Sequence, residues 1–252
     1  STTPTVQDLR DPELNGAIAR KLAKIHSMKM PISKVPLFLE FYAEILLSID
    51  LAKNIDDLNP KNQEFVKRVF EFPFKEEVEW FTSIIPKIQS RVVFSHNDLY
   101  SNNILLKKRF DSIYERPLII DYEMSGYFYR GYDIACYLKM KNFDIDRNGD
   151  QVKIIYIENE REEEDKKHFL TEYLQEWLKV SSQIDANLDN IEQLEKEAVF
   201  FSLLKDIMFI GEARLFINFF DESKLFSTNT PHIPDYFNNK RKVLQRYGLL
   251  ET

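Results

Sequence analysis

Two short segments carry polar residues whose types and spacing suit chemistry. The run Ser95-His96-Asn97-Asp98-Leu99-Tyr100-Ser101-Asn102-Asn103 lies between the apolar stretches Val92-Val93-Phe94 and Ile104-Leu105-Leu106. Further on, Leu118-Ile119-Ile120 leads into Asp121-Tyr122-Glu123. Asp98, Asn103 and Asp121 thus fall at the ends of short predicted strands. Mg2+ is a hard ion that prefers oxygen ligands and takes only one or two carboxylates from protein. Asn103 offers a neutral amide oxygen and Asp121 a charged one. Asp98, five residues before Asn103, is left to face a hydroxyl nucleophile, orient it and accept its proton as a phosphoryl group departs from ATP. Each part alone has a plainer reading: a packed histidine at His96, turn chemistry at Asn97-Asp98, a strand cap at Asp121. Taken jointly, the pattern points to phosphoryl transfer.

Helices must hold this centre. Leu14, Ile18, Leu22 and Ile25 recur at helical spacing after Pro12, and Met30-Pro31 closes that segment. Residues 36–50, 61–72 and 75–89 read as helices, the last with Glu76, Glu77 and Glu79 early, where the helix dipole favours negative charge. Strands are expected at 92–94, 104–106 and 118–120, with Pro117 able to open the third and Lys107 to Arg116 as the turn between the last two. Beyond Asp133 the pattern predicts helices over about 133–141, 161–181, 189–220 and 234–246. Asp144 to Asp150 reads as a loop lacking the closing Glu of a calcium site. The charge-dense run Glu158 to Lys167 reads as a solvent-facing helix start. No repeat and no linker marks a domain boundary.

Composition narrows the class. The 252 residues carry 34 Lys+Arg against 41 Asp+Glu, a formal charge of −7, which argues against nucleic-acid binding. The six glycines are Gly16, Gly126, Gly131, Gly149, Gly211 and Gly248, and none form a phosphate-cradling glycine-rich loop. A lone cysteine, Cys136, permits no internal disulfide, and four scattered histidines form no paired zinc ligands. With no long apolar run and no signal-like start, the expectation is a cytoplasmic protein without stable membrane insertion.

His-x-Asp-x-x-x-x-Asn followed by apolar-apolar-Asp is the arrangement of a protein-kinase-like catalytic loop and metal aspartate. Within that group, His96–Leu99, Asn103-Ile104-Leu105, Ile120–Glu123 and Ser125 through Ala135 together resemble the choline/ethanolamine kinase family. The run Tyr127-Phe128-Tyr129-Arg130-Gly131-Tyr132-Asp133-Ile134 separates it from aminoglycoside phosphotransferases. Ile18 through Pro31 is similar to the family's first helix after its hinge, and Lys166 through Leu174 is a weaker match. The resemblance implies an α+β fold: a protein-kinase-like C-terminal lobe over residues 1–252, mainly α-helical, with short β strands around the catalytic loop. The N-terminal β lobe that grips ATP would be absent, in keeping with the glycine count.

Carried over position by position, the resemblance makes Asp98 the catalytic base and Asn103 with Asp121 the Mg2+ ligands. It sets Glu123, Tyr100 and Tyr122 near the substrate, and makes His96, Asp133 and Arg130 supports of the loop. Its partners would be ATP and a small amino alcohol, choline or ethanolamine, on the way to phospholipid. Exposed aromatics on the terminal helices leave room for a homodimer. The family's cation–π cage for a quaternary ammonium is thinned: Met124 replaces an aromatic residue, Ile207 to Arg214 replaces late-helix tryptophans, and an acidic pocket residue is lost near Met140. Phe209, Phe216, Tyr137 and Glu212 are candidates to rebuild it. The rival readings are a non-catalytic kinase-like binding module and a small-molecule kinase of the aminoglycoside phosphotransferase type.

Overall fold

A computed structural model describes residues 1–36, 38–49, 56, 58, 60–146, 153–219 and 233–249. The described elements run α1 (Val6–Arg10), α2 (Pro12–His26), α3 (Phe38–Leu47), α4 (Pro60–Glu71), α5 (Phe74–Ile88), β1 (Val92–Ser95), β2 (Ile104–Leu106), β3 (Pro117–Ile119) and β4 (Gly126–Tyr129). They continue as α6 (Arg130–Met140), β5 (Phe143–Asp146), β6 (Lys153–Tyr156), α7 (Glu162–Val180), α8 (Ile191–Phe219) and α9 (Ile233–Tyr247). This is the mainly helical α+β architecture expected, with short strands clustered around residues 92–129.

The contacts group into two units built from interleaved segments, so no linker in the sequence marks them. The first comprises 1–38, 88–143 and 157–201; the second comprises 39–87, 144–156 and 202–252. Every residue of the candidate site lies in the first.

In the first unit, Asp11 caps α2 by accepting from the amides of Glu13 and Leu14, and Pro12 fills the first helical position where its missing N–H is harmless. The apolar stripe of α2, Leu14, Ile18, Leu22 and Ile25, enters a core with Phe169, Tyr173 and Trp177 of α7 and Ile104 and Ile119 of the strands. The helix stops at His26 rather than at Met30-Pro31, and α1 is an unexpected short helix closed by a reciprocal Thr5–Asp8 capping box. Strand β1 pairs antiparallel with β4, from Val92 opposite Tyr129 to Ser95 opposite Gly126, and β2 pairs antiparallel with β3. The sequence reading missed β4, whose aromatic run does not alternate. It also set the third strand one residue late: β3 is Pro117–Ile119, and Ile120 lies just outside, its amide bonded to the carbonyl of Asn103.

Helix α6 begins three residues earlier than expected, at Arg130, because the Arg130 amide bonds to the Arg91 carbonyl as the β1–β4 pair ends. Gly131 lets α6 approach α8 closely. A Cβ there would lie 2.6 Å from the Phe201 ring and 2.8 Å from the Glu197 Cβ. Gly131→Ala should therefore destabilise the protein by about 1–3 kcal/mol through overpacking, read as a lowered thermal midpoint. An unchanged midpoint would mean that this helix pair can part freely.

Two loop readings change. Residues Phe143–Asp146 form β5, paired with β6, instead of opening a loop; the rest of the Asp144–Asp150 stretch lies outside the described residues. The start of α7 is not wholly solvated. Asp165 is buried and pairs with buried Lys141 at 3.2 Å. Burial pushes the Lys141 ammonium below its ordinary pKa, and Asp165 opposes that shift.

The second unit is mostly helical and includes β6 and most of β5. Val66 and Val69 of α4 pack with Ala213 and Ile217 of α8. Tyr236 and Lys240 of α9 both donate to Glu77 of α5, and the Lys240 ammonium sits 3.6 Å from the Trp80 ring centroid. Among the described residues no helix is long and apolar enough to cross a membrane.

Candidate active site

The loop after β1 is held from below by one carboxylate. Asp133, fully buried on α6, accepts the backbone amides of His96 at 2.6 Å and Asn97 at 2.7 Å. Such bonds between a carboxylate and backbone N–H groups are among the stronger ones in proteins. Asp133 also receives His26 Nε2 at 3.1 Å, while His26 Nδ1 lies 2.8 Å from the Tyr173 hydroxyl. Burial raises the pKa of Tyr173 well above its ordinary value. Because a carboxylate only accepts, His26 Nε2 is the donor to Asp133. Asp133 thus anchors the backbone of the loop at His96 and Asn97. The sequence reading did not place His26 and Tyr173 in this hydrogen-bonded chain. Their signal was weak: a histidine four residues after Leu22 on the buried stripe of α2.

His96 is fully buried and structural in its contacts. Its Nε2 donates to the Ile120 carbonyl at 2.8 Å, and its Nδ1 accepts the Asp98 amide at 3.3 Å. It thereby joins the loop of Asp98 to the residue just before Asp121. Tyr122, 43% exposed, tilts against the His96 ring with centroids 4.9 Å apart. Partial burial pushes its hydroxyl pKa upward.

Asn103 ends a 3-10 turn, Ser101–Asn103, immediately before β2. Its Nδ2 donates both to the Asp98 carbonyl at 2.8 Å and to Asp98 Oδ2 at 3.0 Å. That bond pins the Asp98 carboxylate to the loop and turns the amide's nitrogen toward Asp98, leaving Oδ1 of Asn103 as the oxygen donor. No donor among the described residues reaches Asp98 Oδ1. Asp121 is exposed and holds a left-handed backbone, φ 66° and ψ 65°, at the entry to the 3-10 turn Tyr122–Met124 that carries exposed Glu123. Strained non-glycine backbone of this kind concentrates at functional sites. Tyr100 is half-buried at the head of the other 3-10 turn, its carbonyl accepting from the Asn103 amide.

The Asn103 amide oxygen and the Asp121 carboxylate are both hard donors of the kind that Mg2+ takes. No cluster of three or more His, Cys, Asp or Glu side chains forms a metal centre of its own among the described residues.

Arg130 stands apart from this chemistry. It is fully buried and donates twice to Glu197, at 2.9 and 2.8 Å, and once to Asp189, at 2.6 Å. Arg91 adds a two-pronged bond to the same Asp189, at 2.9 and 2.7 Å. Burial alone would lower the Arg130 pKa, but Glu197 and Asp189 hold it above its ordinary value. Its contacts fix α6 to the start of α8, which supports the loop through Asp133 three residues on. Tyr137 does not serve as a cage residue: it is fully buried, donates to Asn15 at 3.0 Å and stacks on Phe169. Glu212 accepts from Tyr42 and lies 3.7 Å from the Lys205 ammonium in the second unit.

The fold is kinase-like. A choline kinase structure from Cryptosporidium parvum superposes with a TM-score of 0.65 over 98% of this chain and 70% of its own, at 20% identity. An ethanolamine kinase structure from Plasmodium vivax gives 0.59 over 97% and 62%, also at 20% identity. The profile describing choline/ethanolamine kinases matches residues 1–213, and the chain belongs to that family. A rat choline/ethanolamine kinase is 39% identical over 129 residues, which are 51% of this chain and 31% of the rat protein. A probable ethanolamine kinase of Arabidopsis thaliana is 31% identical over 172 residues, covering 67% of this chain and 41% of the relative. The matched stretches thus span less than half the length of these relatives.

Proposed function

We propose that residues 1–252 form the catalytic, C-terminal lobe of an ATP-dependent kinase that phosphorylates the hydroxyl of a small amino alcohol, choline or ethanolamine. The phosphate-covering half of its site would be supplied from outside these residues. The observation that carries this reading is the Asn103 side chain, which locks the Asp98 carboxylate in place with its nitrogen and keeps its oxygen for a metal. Asn103 and Asp121 would hold Mg2+, which when bound neutralises the charge on the transferring phosphates. Asp98 orients the alcohol and accepts its proton as the new oxygen–phosphorus bond forms. Glu123 and Tyr122, both exposed on the turn after Asp121, face the amine end: a carboxylate and an aromatic ring attract a cation by charge and by the ring quadrupole. Two such groups suit a primary amine as readily as a quaternary one.

The deciding assay follows ATP turnover by the intact protein with choline, with ethanolamine and with no acceptor. Stimulation by either alcohol supports the proposal, and turnover indifferent to both overturns it. Asp121→Ala should weaken the apparent Mg2+ affinity for nucleotide-dependent turnover by roughly tenfold or more, because half of the protein's donor set is gone. An unchanged Mg2+ titration would remove Asp121 from the metal site.

A further inference from the structure

Asn97 unites three features that packing alone does not explain. It is a non-glycine residue in the left-handed region, with φ 67°. It is 97% buried, yet its Oδ1 meets no hydrogen-bond donor. Its one side-chain bond runs from Nδ2 to the carbonyl of Met124 at 2.9 Å. Left-handed backbone and a buried acceptor without a donor both subtract from stability. A glycine here would relieve both at once.

Side-chain bonds link the two segments beyond the last backbone pair of β1 and β4. That ladder ends with Ser95 opposite Gly126. One step further, Ser125 Oγ donates to the His96 carbonyl at 3.3 Å; one more, Asn97 Nδ2 donates to Met124. Meanwhile the Asn97 amide is anchored to Asp133 Oδ1 at 2.7 Å. The residue thus ties the turn Tyr122–Met124 to the anchored loop, one position before Asp98. His96 secures the other end of that segment at the Ile120 carbonyl.

We propose that Asn97 is a positioning residue: its side-chain amide fixes the Glu123 turn against Asp98, so that base and amine-binding carboxylate keep one spacing during transfer. This rests on the kinase reading above for its catalytic consequence, though not for its structural one.

Asn97→Gly and Asn97→Asp test it. The glycine variant removes the tie without backbone strain. The aspartate keeps the shape but cannot donate to Met124. Both should speed hydrogen exchange of the Ser125 amide, which closes the turn by bonding to the Tyr122 carbonyl, by at least tenfold, while amides of α6 keep their protection. Both should lower kcat with the amino alcohol at least tenfold and leave KM for ATP within about twofold. For Asn97→Gly the thermal midpoint should equal or exceed that of the wild type, an opposition between stability and activity that a merely structural role would not produce. Unchanged exchange at Ser125 overturns the tie. Unchanged kcat, or a kcat loss that tracks a falling midpoint, overturns the positioning role. If the wild-type protein itself transfers no phosphoryl group to either alcohol, the kinase reading fails, and the exchange measurement still decides whether Asn97 holds the turn.

Discussion

Asp98→Asn should lower phosphoryl transfer by roughly 10²–10⁴-fold, the range a positioned general base supplies, while folding and ATP binding persist. The substitution is nearly isosteric, and the surrounding bonds explain why the loop should survive it. The Asp98 amide still meets His96 Nδ1, and its carbonyl still accepts from Asn103. Only the bond from Asn103 Nδ2 to Oδ2 is altered, and an amide oxygen can take that place. What disappears is the basic oxygen at Oδ1, the one that no donor among the described residues engages. Steady-state kinetics with a thermal melt checks this: kcat should collapse with the midpoint nearly constant. A variant that keeps more than about a tenth of wild-type kcat would show that Asp98 is not the base, given the contribution expected of one.

Arg130→Met should be the most destabilising single change near the site, by about 3–5 kcal/mol, or a midpoint lowered by roughly 10 °C for a chain of this size. The reason is what it leaves behind. Glu197 and Asp189 stay buried, Glu197 with Ser90 and Gln193 as its remaining donors and Asp189 with Arg91 and the Asp185 amide. Breaking one partner of a buried pair is worse than never having had the pair. The loss has a pH signature. Burial would raise the Asp189 pKa, but bonds from Arg91, the Asp185 backbone and Arg130 bring it below its ordinary 3.8. A carboxylate with a depressed folded-state pKa stabilises the fold fully above its unfolded value, and that contribution fades as pH falls through the folded one. The gap between wild type and variant should therefore be widest above about pH 4 and shrink as Asp189 protonates. Thermal melts across that range measure it, and a gap that does not narrow in acid would assign the stabilisation to packing rather than charge.

Much of the frame was legible because helices announce themselves locally. The stripe Leu14, Ile18, Leu22, Ile25 and the long runs that became α7 and α8 need only the 3.6-residue period to be read. Short strands were less secure, since three or four residues carry too little pattern. The segment Gly126–Tyr129 was passed over because all its large residues are aromatic, and Phe143–Asp146 because its acids looked like a turn. Their strand character comes from partners elsewhere in the chain.

The sequence by itself determined the chemical inventory: Asp98 and Asn103 share one loop, Asp121 follows two short strands later, and their spacing is a local property that no packing needs to reveal. Only the tertiary structure decided how that inventory is held. The bonds from His26 to Asp133 and from Arg130 to Glu197 link residues 107 and 67 positions apart, and the tie from Asn97 to Met124 depends on how two strands register. Such contacts are selected by burial, where an unpaired polar group is expensive and a satisfied one fixes geometry. A linear sequence shows that such groups exist, but not which of them will meet.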